Sequence, residues 1–205
     1  MSKTVEMSNK YNLQIHTHLA ETTEETEYCL DKFDKRPLEL IESLGWLNNN
    51  AWFAHFIHLN DEEINIAGDA KVGASHCPSS NMRLGSGIAR VKELLDAGVN
   101  VGLAVDGSAS NDTSNMLLEM RNAILLSRMR KQDKWLSADE VLWMATIGGA
   151  KALGRDDIGS INEDKSADII IISMDKLEYS GAKHDPLAAI LFSTSNNPAD
   201  HVIVN

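Results

Sequence analysis

Two short runs carry the residues with the clearest chemistry. His18-Leu19-Ala20-Glu21 and Val105-Asp106-Gly107-Ser108-Ala109-Ser110-Asn111 each close an apolar, β-rich stretch with a group able to bind a metal or move a proton. A metal held by an imidazole and a carboxylate activates water, and a second carboxylate passes the proton on. Together the runs suggest half of a metal-dependent hydrolase site at one rim of a barrel. Its remaining ligands are expected from an earlier strand that these 205 residues do not contain.

Other polar clusters follow the same pattern. His55/His58 and His76/Ser79/Asn81 also fall just after apolar stretches, so four clusters sit at four successive strand ends. In parallel α/β sheets that edge is where ligands bind. His16 and His18, two apart on a strand, share a face. They are either a metal pair or two inward polar groups. Glu21 is a proton shuttle or a helix-start acid favoured by the dipole. His55 is a ligand, a partner of the attacking water, or a satisfied core histidine, and His58 reads as an ordinary loop residue. Ser108, Ser110 and Asn111 serve a polar substrate or cap the next helix. Asp106-Gly107 has a hairpin dipeptide, but no alternating return strand follows, so Asp106 reads as a rim carboxylate. His76-Cys77-Pro78 lacks the Pro-Cys-x-x-Cys of the small zinc nucleoside deaminases, which excludes that fold. Gly85-Ser86-Gly87 lacks the lysine and helix start of a phosphate loop.

The elements that must hold these groups alternate as βα units, which implies an α/β fold with a parallel sheet. Strands are expected at 13–20, 51–57, 71–77 and 100–105. Thr22 with Glu25 forms a capping box for a helix to about Lys35, and Pro37 opens a second helix to Leu44. Asn60 caps a short helix over 61–68, and 88–97 is helical with Gly98 as its stop. Ser114 starts a longer helix with Met116, Met120, Ala123, Ile124 and Ser127 on one face. Ser137 and Glu140 box a helix to about Leu153. Composition changes near Gly154, which divides the chain into 1–153 and 154–205. Within the second part, 168–174 holds four consecutive isoleucines and reads as a buried strand. Pro186 to Phe192 is a candidate helix, and 201–204 is a short strand.

The chain has 43% hydrophobic and 24% charged residues, as a globular domain does. Its net charge of -11, from 19 basic and 30 acidic side chains, argues against a nucleic-acid polymer as partner. Cys29 and Cys77 are the two cysteines, without a C-x-x-C, so a reducing cytosol fits. No apolar run of about 18 residues points to a membrane, and 1–10 lacks the apolar core of a signal peptide.

The runs HTHLAET (16–22), WFAHFIHL (52–59), SHCPSSNMRLGSGIA (75–89), VGLAVDGSASND (101–112) and ATIGGAKALGRDDIGSI (145–161) resemble the amidohydrolase superfamily. The branch is that of the cytosine, guanine and S-adenosylhomocysteine deaminases and the triazine hydrolases. The resemblance runs from about Tyr11 to Asn205. It implies a (β/α)8 barrel with a small composite β-sandwich, residues 1–153 supplying barrel strands 5–8 and 154–205 leading into the sandwich. It also implies one divalent metal, zinc or alternatively iron, that serves hydrolysis of C–N or C–Cl bonds on heterocycles. Matched residue by residue, His18 corresponds to the strand-5 ligand and Glu21 to the proton-shuttling acid. His55 corresponds to the strand-6 histidine on the attacking water, and Asp106 to the strand-8 ligand and general base. His76, Ser79 and Asn81 fall in the strand-7 substrate loop, with Ser108 and Asn111 expected beside the substrate. The family's strand-1 His-x-His has no match. The expectation is thus the C-terminal half of a cytoplasmic aminohydrolase acting on an aromatic heterocycle such as 8-oxoguanine, with pterins, guanine and triazines as alternatives. In that mechanism Asp106 takes a proton from water, Glu21 protonates the ring nitrogen and then the leaving ammonia, and His55 holds the oxyanion-like intermediate. Its partners would be the substrate and either a second copy or the N-terminal half. A non-catalytic, self-associating half-barrel is the competing class. With two ligands, the chain alone is expected to hold metal weakly or not at all.

Overall fold

The computed structural model describes residues 1–130, 134–193 and 197–205. Four strands, β1 (Ile15–Leu19), β2 (Ala51–His55), β3 (Gly73–His76) and β4 (Asn100–Leu103), form one parallel sheet in sequence order. Helices α1 (Ser2–Tyr11), α2 (Thr23–Phe33), α3 (Pro37–Ser43), α4 (Asp61–Asp69), α5 (Pro78–Leu84) and α6 (Val91–Asp96) precede and connect them. After β4 come α7 (Met116–Met129), α8 (Ala138–Trp143), a π turn (Met144–Gly148) and α9 (Gly149–Ala152). The C-terminal part holds β5 (Ile169–Ile171), a 3-10 turn (Leu177–Tyr179), α10 (Pro186–Ser193) and β6 (His201–Ile203).

Register explains which side is core. Thr17, Phe53, Ala74 and Val101 stand side by side, and the last three are buried against helices. His18, Ala54, Ser75 and Gly102 line the opposite face. Caps behave as their sequences imply. Asn60 with Glu63 and Ser137 with Glu140 form capping boxes, and Pro37 and Pro78 stand in the first turns of their helices. On α7, Met120, Ala123, Ile124 and Ser127 are buried as expected, but its cap is Asn115, which accepts from Leu117 and Leu118 N–H groups.

Several expectations need correction. Among the described residues the isoleucine run is a three-residue strand whose one partner is the antiparallel β6, and Ile170 and Ile171 are about half exposed (54% and 46%). Ile170 and Ile172 border a cavity shared with α7 and α10 rather than a packed layer on both faces, so the apolar run misled. The helix expected over 137–153 is broken by the π turn. There α9 packs on β4 so closely that a Cβ on Gly102 would lie 2.8 Å from the Gly149 Cα. Helix α1 and helix α5 were not anticipated. Among the described residues, no helix is long and apolar enough to cross a membrane.

Candidate metal centre

The rim is built by backbone that leaves the sheet abruptly. β2 ends where His55 and Phe56 turn left-handed (φ 75 and 50). Phe56 N–H then donates to Leu19 O at 3.1 Å, and the N–H groups of Ile57 and His58 both donate to Ala20 O (3.0 and 2.9 Å). Ala20, itself at φ 53, and Glu21 give their N–H groups to the Glu25 carboxylate (3.0 and 2.8 Å). Thr22 caps α2 as read from the sequence, but the Glu25 carboxylate reaches past it to shape the His18–Glu21 turn. Asp106, just after β4, also has positive φ (64). Left-handed backbone is uncommon outside glycine and clusters at functional sites. Two of the chemistry-bearing residues adopt it here.

These turns aim four side chains at one another. His18 Nε2 lies 3.6 Å from Asp106 Oδ1. His55 Nε2 lies 3.6 Å from Glu21 Oε2 and 3.9 Å from Asp106 Oδ2. The His18 and His55 rings are 4.9 Å apart. One ligand atom each from His18, His55 and Asp106 falls within 4.8 Å of the others. The family resemblance puts His55 on the attacking water, while its own sequence context also allows a ligand, and the geometry is compatible with a ligand.

Each group is held from behind. Ser80 donates to Asp106 Oδ2 at 2.6 Å and Ser110 at 3.1 Å. Burial pushes the Asp106 carboxyl up, but the bonds from Ser80, the Gly107 backbone and Ser110, with nearby His55, hold it below its ordinary value. His55 is buried, and its Nδ1 meets Asn81 Oδ1 at 2.9 Å. Ser86 Oγ donates weakly to Glu21 Oε1 at 3.4 Å, and Ser86 O meets His58 Nε2 at 2.8 Å. His58 therefore pins the 85–87 loop, the glycine run with no phosphate-loop character. His16 stacks on Trp52 at 3.6 Å with its Nδ1 3.2 Å from Trp52 O.

The residues present fit a divalent cation. His55 Nε2 is buried and has no hydrogen-bond partner, although it faces two carboxylates. A buried unpaired ring nitrogen is costly. Two imidazoles and a carboxylate at this spacing are a donor set that suits zinc.

Three of the expected substrate contacts, His76, Ser79 and Asn111, are committed elsewhere. His76 is fully buried beside Ile88, Ala89, Ala123 and Leu136, next to a void of about 10 Å3, and burial pushes its imidazole down to about 3. Ser79 gives its N–H to Glu119 and accepts from Asn122. Asn111 spends its amide on Val105 O, Glu119 and Thr113. Ser108 is exposed on the loop. Asn81 is the exception, and it touches His55. The sequence singles out neither Ser80 nor Glu119, and gives Glu25 only a capping role and Ser86 only a place in a glycine run. Pro78 was the available signal for Ser80, because a proline at the first helical position puts Ser79 and Ser80 about 100° apart on a helix. A cavity of about 760 Å3, lined by Met116, Met120, Leu187 and Ile190, contains none of these groups.

A parallel sheet whose C-terminal edge gathers histidines and carboxylates is the layout of an α/β enzyme. The amidohydrolase family model matches residues 1–205, and the chain belongs to that family. It is 46% identical over 204 residues to 8-oxoguanine deaminase of Pseudomonas aeruginosa, covering 100% of this chain and 45% of that protein. It is 37% identical over 204 residues to 5-methylthioadenosine/S-adenosylhomocysteine deaminase of Halothermothrix orenii, covering 99% and 47%. A zinc-bound adenosine deaminase from Xanthomonas campestris superposes with a TM-score of 0.94 at 30% identity, over 99% of this chain and 46% of the other. Zinc-complexed atrazine chlorohydrolase from Arthrobacter aurescens gives 0.92 at 36% identity, over 97% and 44%. The chain spans about half the length of the curated relatives it matches.

Proposed function

We propose that this chain carries one rim of an aminohydrolase site that removes the amino group of an aromatic heterocycle, 8-oxoguanine foremost. The observation that carries the reading is the convergence of His18, His55 and Asp106, with Glu21 against His55, at the ends of β1, β2 and β4. The 46% identity to an 8-oxoguanine deaminase supports that substrate over the adenosine-type alternatives. Residues 1–153 are read as strands 5–8 of a (β/α)8 barrel and 154–205 as the lead into a β-sandwich. The parallel order of β1 to β4 and the antiparallel β5–β6 pair support this division. The substrate is the partner of the site, and a second copy or an N-terminal half completes the barrel.

His18, Asp106 and His55 would hold a divalent metal such as zinc, which would supply Lewis acidity for activating water. Asp106 takes that water's proton, its carboxylate kept ionised by Ser80 and Ser110. Glu21 gives a proton to the ring nitrogen, takes one from the hydroxyl of the tetrahedral adduct as its carbonyl forms, and passes that proton to the departing amine. Asn81 occupies the His55 Nδ1 hydrogen, so neutral His55 presents a lone pair at Nε2. It ligates or accepts a hydrogen bond in that state, and steadies an oxyanion only after protonation.

A chimaera tests the reading. Residues 1–205 replace the matching segment of the Pseudomonas aeruginosa enzyme, and ammonia release from 8-oxoguanine, guanine and pterins is followed. Deamination is expected, with Glu21→Gln and Asp106→Asn each lowering turnover by at least about 10²-fold. A folded, zinc-loaded chimaera that deaminates none of them sinks the proposal.

A further inference from the structure

Behind the rim lies a carboxylate with no part in the chemistry above. Glu119, on the core side of α7, is fully buried. Its Oε2 accepts from the Ser79 backbone N–H at 3.0 Å, in the first turn of α5. Its Oε1 accepts from Asn111 Nδ2 at 2.9 Å, in the loop after β4. Asn111 Nδ2 also donates to Val105 O at 2.9 Å, the residue before Asp106. Ser80, next to Ser79, donates to Asp106 Oδ2 at 2.6 Å. The bonds close a ring through Glu119, Ser79–Ser80, Asp106, Val105 and Asn111. Both donors to Glu119 are neutral, and a carboxylate buried on neutral donors is a poorer core residue than a leucine. Stability alone does not explain its place.

We propose that Glu119 is a positioning residue for the metal centre. By accepting from Ser79 and Asn111 it fixes the opening turn of α5 and the loop after β4. Through Ser80 and Val105 it sets the direction of the Asp106 carboxylate. The metal part of this inference rests on the ligand reading given above. The ring itself does not.

The test compares Glu119→Gln with Ile124→Val in the 205-residue chain. Glutamine keeps the size but turns amide hydrogens toward one of the two donors. Ile124 is a buried neighbour on α7 that packs in the core and touches neither loop through a hydrogen bond. In the metal-free chain, Glu119→Gln is expected to speed amide exchange at 79–81 and 107–111, while Ile124→Val leaves those amides alone. Cobalt(II) binding, followed by its visible spectrum, should weaken at least about tenfold in Glu119→Gln and stay unchanged in Ile124→Val. Unchanged exchange in both loops overturns the proposal, as does an equal loss of cobalt affinity in Ile124→Val. If Glu119→Gln does not fold, Asn111→Ala opens the same ring from the β4 side. A folded Asn111→Ala chain with wild-type exchange at 107–111 also overturns it. A wild-type chain that binds no cobalt, with Asp106→Ala no different, counts against the ligand reading, and the exchange data still decide whether Glu119 clamps the loops.

Discussion

His55 Nδ1 lies 2.9 Å from Asn81 Oδ1, and both side chains are buried. With the Asn81 carbonyl oxygen toward a neutral ring, that contact favours one tautomer. A carbonyl oxygen accepts only, so the ring hydrogen belongs on Nδ1, and Nε2 faces Glu21 and Asp106 with a lone pair.

Long-range proton–nitrogen NMR on the metal-free chain reads this directly. His55 is expected as the Nδ1–H tautomer, and Asn81→Leu should convert it to a mixture. Finding Nε2–H in the wild-type chain would mean that the Asn81 amide points the other way and that His55 is a donor at the rim.

Much of this was legible because the relevant signals are local. Alternating βα periodicity, Asn60, Pro37 and Ser137 place their elements within a few residues. The placing of His18, Glu21, His55 and Asp106 at strand ends followed from apolar runs that stop at polar residues. The left-handed turns at His55 and Asp106 were not legible, because His and Asp tolerate positive φ better than most residues but adopt it too rarely for residue type alone to signal it. Nor was the burial of His76, since a histidine at a strand end points to either layer. The half-exposed Ile170 and Ile171 misled for the opposite reason: hydrophobicity states a preference for burial, and only the neighbouring layers satisfy it.

Arg36 joins α3 to α4 through a bidentate pair with buried Glu63 (2.8 and 2.9 Å) and a bond to His58 O at 2.7 Å. Removing one partner strands the other charge and frees the strand-end loop that His58 anchors. Arg36→Met should destabilise the chain by about 2–3 kcal/mol in urea titration. A change below about 0.5 kcal/mol would class the pair with ordinary surface bridges.

Burial holds His76 neutral, its imidazole pushed from 6.5 down to about 3, with His55 nearby adding to the shift. Between those values the unfolded chain takes up a proton that the folded chain refuses. Stability therefore falls as pH drops below about 6.5, by up to roughly 1.4 kcal/mol per pH unit from this group. His76→Gln should flatten the slope of unfolding free energy between pH 6 and pH 4, about the window where the group acts. Parallel slopes for the two proteins would show that His76 is solvated or paired.

Two ligands on separate strands were expected to hold metal poorly. Adding His55 to His18 and Asp106 gives three donor atoms within 4.8 Å, enough for a zinc site that keeps an open position. The chain alone is therefore expected to bind one zinc or cobalt(II) ion, less firmly as pH falls, because the ligands must be deprotonated. Equilibrium dialysis with metal analysis measures it. His18→Ala, His55→Ala and Asp106→Ala should each weaken binding by at least about tenfold. His16→Ala should not, because the His16 ring is committed to Trp52. If His55→Ala binds as the wild type does, the third donor is not a ligand, and the original two-ligand expectation of weak binding stands. Loss of binding in His16→Ala instead would move the ion down the β1 face, toward Trp52 and away from Asp106.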